Sequence, residues 1–346
     1  MVARIDFRGP ARYRIRSASD LALAVLEVSA RRAVKGPRLP GWGWYLEVAT
    51  RALRKQVNTA FTMGNVEDAR RYLDSLVIDS PALSEVNIRQ VGHEKFQGSW
   101  FSAKNGTAHA TVLYFHGGGY SFYPQAYAGF IAQVTLAAKS RTLALDYRLT
   151  PEHRFPAQLD DALHAYRWLL ENGTDPGNVV FIGDSAGGNL ALSLLLHIRA
   201  ENLPLPALAI ALSPPTNFDA ELNSNEDFDW IDKRALLRWR DWFCGEAQRR
   251  DPLVSPLWAE LRGLPPVYIQ AGRSEILYGS IQAFADHARD QGADVVLEAW
   301  EGMNHNFQIF GPDVPQSTEA LRRIGEVIAA RTDAPRTRET APAVDG

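Results

Sequence analysis

From about residue 87 to residue 300 the chain alternates two hydrophobic patterns. Short, nearly continuous apolar runs occur at His109–Phe115, Thr142–Tyr147, Val179–Gly183, Leu208–Ser213, Val267–Ala271 and Val295–Trp300. Their β-branched and aliphatic content fits strands buried on both faces, as in a parallel sheet. Between them apolar positions recur at helical spacing: Leu159, Ala162, Leu163, Tyr166 and Leu169; Leu190, Leu194, Leu195 and Ile198; Ile281, Phe284, Ala285 and Ala288. A last helix is expected at Thr318–Ala330. Strands alternating with helices predict an α/β fold with a mostly parallel central sheet flanked by helices.

The first 85 residues read differently, as helices alone. Ser17 or Ser19 is expected to cap a helix through Leu21, Leu23, Val25, Val28 and Ala30, which the Gly/Pro-rich stretch 36–43 breaks. Further helices are expected at Tyr45–Val57 and Val66–Leu76. A second departure lies between Ser213 and Val267, where an acidic loop (Asp219–Asp232) precedes an aromatic-rich helix (Lys233–Glu246). About fifty residues is too long for a simple crossover. Residues 1–85 and 215–250 are therefore assigned to a helical cap, and 86–214 and 251–331 to the α/β core. The cap is expected over the carboxyl ends of the strands, where such sheets bind ligands. Thr332–Gly346, rich in Pro, Thr, Ala and charge, reads as a disordered tail.

Composition narrows the classes. Of 346 residues, 46% are hydrophobic and 22% charged, and the net charge is −3, so nothing marks a nucleic-acid binder. The charge is uneven: residues 1–40 hold nine Arg or Lys against Asp6, Asp20 and Glu27. A solvated face on the cap is the expectation there, ahead of an arm that docks on an anionic membrane. The single cysteine, Cys244, excludes intrachain disulfides and multi-thiolate metal sites and reads as a packed small apolar residue. No secretory signal and no uninterrupted apolar span of 18 residues appears, so a soluble, cytoplasmic protein without membrane insertion is expected.

Two strings carry the chemistry, each directly after an expected strand. Gly183-Asp184-Ser185-Ala186-Gly187 places a serine between glycines at a strand-to-helix turn, which lifts its hydroxyl into the open. His116-Gly117-Gly118-Gly119 offers backbone N–H groups with no side chains in the way. Ser185 is the candidate nucleophile; Gly118, Gly119 and Ala186 are the candidate donors to an oxyanion, with His116 shaping the loop. Of eight histidines, His305 lies on the loop after the last strand, at the rim of the sheet, and is the candidate base. Glu275, on the loop after the preceding strand, completes the order serine, acid, histidine. Asp251 and Asp286 are the substitutes for it. Tyr120, Phe122, Tyr123, Phe218, Trp230 and Phe307 are expected to wall the pocket, with Trp42, Trp44 and Phe61 joining from the cap.

His116–Gly119, Asp146-Tyr147-Arg148-Leu149 with Pro151-Glu152-His153 and Phe155-Pro156, Gly183–Leu190, Asp251-Pro252-Leu253 with Ser255-Pro256, and Gly302-Met303 with His305 and Phe307 occur in this order. Together they resemble the hormone-sensitive-lipase-type family of α/β-hydrolase esterases, over about residues 100–310. The resemblance implies an α/β-hydrolase fold, a helical cap and hydrolysis of small-molecule carboxylic esters with neither metal nor cofactor. The family usually has Asp where Glu275 stands, so a carboxylate one methylene longer takes that role here. The Asp146–Pro156 motif is expected to brace the loop beneath the site, with Arg148 and Glu152 as a buried pair. Aromatic walls and the lack of an extended lid favour short to medium acyl esters. Lactone, amide and deacetylation substrates use the same machinery. A non-catalytic receptor on this fold would be marked by loss of a catalytic position, and all are present. An isologous homodimer through the last strand or helix is suggested by analogy alone.

Overall fold

A computed structural model of the chain describes residues 4–220 and 226–332. Its elements run in the order β1 (Arg4–Phe7), α1 (Ala11–Lys35), α2 (Trp44–Phe61), α3 (Val66–Leu73), β2 (Leu76–Asp79), β3 (Val86–His93), β4 (Phe96–Ala103) and β5 (Ala110–Phe115). Then come α4 (Tyr127–Ala137), β6 (Ser140–Asp146), α5 (Ala157–Glu171), β7 (Val179–Asp184), α6 (Ala186–Ala200), β8 (Leu208–Leu212) and α7 (Lys233–Phe243). The chain continues through β9 (Val267–Gly272), α8 (Tyr278–Asp290), β10 (Val295–Trp300) and α9 (Pro315–Thr332). Eight strands form one sheet in the order β10-β9-β8-β7-β5-β6-β4-β3, parallel from β5 through β10, with β3 and β4 antiparallel at one edge.

Alternation along the strands builds two cores. Leu113, Phe115, Val179, Phe181 and Ile269 face α5, α6 and α8, while Val112, Tyr114, Val180, Ile182 and Ile210 face α4 and α9. Every residue of β5, β7, β8 and β9 is buried. Burial on both faces explains why these runs carry no polar alternation. Helices α1, α2, α3 and α7 meet in a separate cluster around Tyr13, Val57, Tyr72, Phe122, Ile231 and Trp239.

Several expectations are corrected. The β3–β4 hairpin has no counterpart among the expected strands, because its Glu94-Lys95 turn carries no Gly or Asn signal and β3 is mostly exposed. Strands β1 and β2 pair within a stretch read as purely helical; α3 stops at Leu73, and Leu76, Val77 and Ile78 leave it for the β1 ladder. Neither Ser17 nor Ser19 caps α1. The helix begins at Ala11 behind Pro10, since Arg12 to Arg16 are good helix formers, and Ser17 is buried against Ser75 at 2.6 Å. The outward side of α1 is mixed: Arg12, Arg14, Arg16, Ser19, Ser29 and Lys35 are solvated as expected, and Ile15, Leu23, Leu26 and Val34 are exposed among them. Helix α7 ends at Phe243, short of the expected Glu246 and one residue before the buried Cys244. Arg148 pairs with Asp161 at 2.8 Å and Glu152 with Arg70 at 2.7 Å, both partly exposed, so the expected Arg148–Glu152 pair does not form. Beyond Thr332 the expected tail lies outside the described residues, as do positions 221–225 of the acidic loop.

Helix α9 lies close on α4 at Gly325, where a Cβ would stand 2.2 Å from the Ala137 carbonyl oxygen. Gly325→Ala must push the two helices apart. It is expected to destabilise the fold by about 1–3 kcal/mol, read as a lower urea midpoint at unchanged slope.

Candidate active site

Strand β7 delivers its last residue, Asp184, into the sheet and then turns sharply. Ser185 sits at φ 51°, ψ −120°, and α6 starts at the next residue. Such a backbone costs about 1–3 kcal/mol and persists only where its surroundings impose it. The Ser185 N–H donates to the Leu212 carbonyl at 2.7 Å. On the other side Gly187 is packed so closely on β5 that a Cβ would stand 1.9 Å from the Phe115 carbonyl oxygen. The turn therefore needs glycine at 187, and it holds the Ser185 hydroxyl at the carboxyl edge of the sheet.

His305 reaches that hydroxyl from the loop after β10, with Nε2 2.9 Å from Ser185 Oγ. The ring is fully buried and its indole neighbour Trp230 donates Nε1–H to the His305 carbonyl at 2.6 Å. Glu275, in the turn after β9, places Oε1 3.9 Å from His305 Nδ1, an ion-pair distance. Its other oxygen, Oε2, accepts from Ser213 Oγ at 2.7 Å and from the Gly272 N–H at 2.9 Å. Asp251 is engaged in its own loop, accepting from the Leu253 N–H, and Asp286 pairs with Arg289 on the surface.

A second carboxylate, which the sequence pattern did not single out, stands behind the histidine. Asp229 is buried and accepts from three backbone N–H groups: Ile276 at 2.8 Å, Trp230 at 2.8 Å and His305 at 3.3 Å. It thus ties the covering segment to both the Glu275 turn and the histidine loop. Burial pushes its pKa up to about 6, although the His305 imidazole opposes this. Burial pulls the His305 pKa down, but Glu275, Asp229 and Asp184 outweigh it and leave the imidazole above its ordinary value.

The glycine-rich loop after β5 lies against the same turn. Gly118 and Gly119 have φ of 100° and 61°, and a Cβ on Gly119 would meet the Trp239 ring at 2.4 Å. Asp184 fastens this loop from below: it accepts from the Gly117 N–H (3.0 Å), Tyr114 (2.6 Å), Tyr127 (3.0 Å) and Asn306 Nδ2 (2.7 Å). Its burial raises its pKa to about 6 against those donors. His116 is stacked between Tyr123 and Tyr147 at centroid distances of 3.7 and 4.1 Å. Burial lowers its pKa to about 3, so it is a neutral packing element of the loop.

A cavity of about 270 Å³ opens over Ser185, Gly118 and Gly119 and runs between α2 and α4. Its wall is apolar, with Val48, Ala52, Leu53, Phe122, Trp230 and Trp239 prominent, and it reaches Ile5 and Ile78 at the β1–β2 pair. Of the expected wall residues, Phe122 and Trp230 line it. The others are core: Tyr120 stacks on Phe243 and hydrogen-bonds Asn189, Tyr123 covers His116, Phe218 packs on Phe243, and Phe307 packs on Trp300. Phe61 packs behind Trp239, Trp44 is exposed, and Trp42 lines a separate polar cleft of about 360 Å³ that does not reach Ser185. Aromatic content alone does not distinguish wall from core. The α2 wall was missed because small apolar residues facing a cavity look like any helix interface.

Known proteins share this arrangement of chain. A family model described as the alpha/beta hydrolase fold (Abhydrolase_3) matches residues 112–309. An acetyl-hydrolase of Streptomyces hygroscopicus is 36% identical over 227 residues, 64% of this chain and 76% of the relative. The crystal structure of EstE5 soaked with ethyl alcohol superposes with a TM-score of 0.78 at 30% identity, covering 85% of this chain and all of the other. An esterase described as from the bacterial hormone-sensitive lipase family superposes with a TM-score of 0.70 at 30% identity, covering 91% and 98%. On its matched core, its sheet and these neighbours, the chain belongs to the hormone-sensitive-lipase-type family of α/β-hydrolase esterases.

Proposed function

We propose that the protein hydrolyses carboxylic esters through an acyl-enzyme on Ser185, with His305 as base, Glu275 as the orienting acid, and Gly118, Gly119 and Ala186 as oxyanion donors. The observation that carries this reading is the 2.9 Å contact between His305 Nε2 and Ser185 Oγ at a strained turn on the floor of an apolar cavity. His305 Nε2 takes the hydroxyl proton as Oγ attacks the ester carbonyl carbon. The carbonyl oxygen gains the negative charge and is met by the amides at 118, 119 and 186. Collapse of the intermediate breaks the bond to the alcohol oxygen, which leaves with the proton from the imidazolium. A water then loses a proton to His305 and attacks the acyl carbon; the C–Oγ bond breaks as the imidazolium returns that proton to Ser185 Oγ, releasing the acid. Glu275 and Asp229 favour the imidazolium that forms in each half. The 3.9 Å gap at Nδ1 closes to a hydrogen bond with a shift of about one ångström, as is common when substrate-free sites tighten.

Short to medium acyl esters suit the apolar cavity, and one relative is an acetyl-hydrolase. A series of nitrophenyl esters is expected to peak at short to medium acyl length; a maximum at long chains would overturn that assignment. Ser185→Ala is expected to lower kcat by about 10⁴-fold or more and to abolish fluorophosphonate labelling. Near wild-type hydrolysis would remove the mechanism.

The pH profile follows from the carboxylates around the base. Only neutral His305 accepts the proton, so kcat/KM is expected to rise with pH through a midpoint above that of a free imidazole. Glu275→Gln removes the largest contribution that raises this pKa. The acid limb should move to lower pH while kcat drops roughly 10³-fold. An unmoved limb would assign the orienting role to another carboxylate.

A further inference from the structure

The basic N-terminal stretch, which the ester-hydrolysis reading leaves without a role, forms a helix with an unusual exterior. Along the outward side of α1 lie Ile15, Ala22, Leu23, Leu26, Ala30, Ala33 and Val34, all exposed, over about 28 Å. Ile15, Leu26 and Val34 expose 67%, 64% and 82% of their surface, far beyond scattered surface apolars. Trp44 lies beside this stripe, half exposed, with its indole N–H on Ser29 Oγ at 3.0 Å. An apolar stripe with an indole at its margin suits a boundary between water and hydrocarbon.

The charge around the stripe selects what it meets. Helix α1 holds six cations and two carboxylates. Asp20 is turned inward to Thr59 and Tyr72, and Glu27 is paired with Arg51 and Lys55. Arg31 and Arg32 are both held by Glu47. Arg14, Arg16 and Lys35 are exposed and form no ion pair among the described residues, and Arg12 is largely exposed beside Asp68. The uncompensated cations beside the stripe, Arg14 and Arg16, cluster at its N-terminal end, while Lys35 is exposed in the last turn on the side of Ala24 and Val28. A second copy packed parallel on the stripe would set arginine against arginine. A flat anionic surface meets them all.

We propose that the outward face of α1 docks the protein on an anionic lipid bilayer, with the helix axis in the plane of the surface. The apolar stripe enters the headgroup boundary and the cations meet lipid phosphates. No helix among the described residues is long and apolar enough to cross a membrane, so the attachment is peripheral. Ile5 in β1, just ahead of α1, and Ile78 in its partner strand β2 are exposed and also line the cavity over Ser185. Docking by α1 therefore sets one end of the substrate cavity next to the anchoring helix.

The test is flotation of the full chain with vesicles. Mixed phosphatidylcholine and phosphatidylglycerol vesicles are expected to carry the protein up the gradient, pure phosphatidylcholine vesicles much less, and added salt should release it. Leu26→Ser with Val34→Ser, and separately Arg16→Glu, are expected to cut the bound fraction about tenfold while the thermal unfolding midpoint stays at the wild-type value. Wild-type protein that stays below the mixed vesicles overturns the proposal, as do variants that float like wild type. A dimer in light scattering that the Leu26/Val34 variant splits would assign the face to a second copy instead. Flotation requires no turnover, so failure of the ester-hydrolysis reading and failure of this one are separate results.

Discussion

The buried carboxylate of Asp184 holds three distant pieces of chain around one serine. It closes β7, stands directly before the strained residue, and receives donors from the glycine loop, the histidine loop and two tyrosines. A carboxylate without water is tolerated only where such donors replace its hydration, each hydrogen bond to a charged group being worth about 1.5–3 kcal/mol. Its burial still shows in a pKa near 6. The glycine loop and the histidine loop have no other shared fastening of this kind among the described residues. The position between Gly183 and Ser185 is therefore a structural anchor, though it touches neither Ser185 Oγ nor the His305 ring.

Carboxylates recur around the histidine, and their division of labour follows from direction. Glu275 faces the ring nitrogen remote from the serine, while Asp229 faces backbone amides. Glu275 lies against the ring itself; Asp229 adds negative charge beside it while holding the loops that carry it. Because Asp229 accepts from residues 230, 276 and 305, one carboxylate ties the covering segment to both loops.

How much of this was legible from sequence depends on whether a feature is local. The parallel strands, the serine turn and the glycine loop announce themselves because each is a contiguous pattern with one backbone consequence. His305 and Glu275 follow from chain order alone, since both sit on loops after strands of the same sheet. Asp184 was within the motif that was read, yet its role required knowing what the fold stacks against it. Asp229 lies in an acidic loop indistinguishable from a solvated one until α7 and β9 are placed. The pocket walls failed for a related reason: Tyr120, Tyr123, Phe218 and Phe307 are aromatic because cores need volume, whereas Ala52 and Ala49 leave space. The Arg148–Glu152 expectation failed because nearness in sequence is a poor guide where a loop splays its side chains to opposite sides.

The roof over the cavity is bonded to His305 itself, through the Trp230 indole on its carbonyl and the Asp229 carboxylate on its amide. The Trp239 ring presses on Gly119 from the same side. Lifting this segment would break both hydrogen bonds to the His305 backbone. The lengthwise run of the cavity between α2 and α4 is the path that leaves them intact.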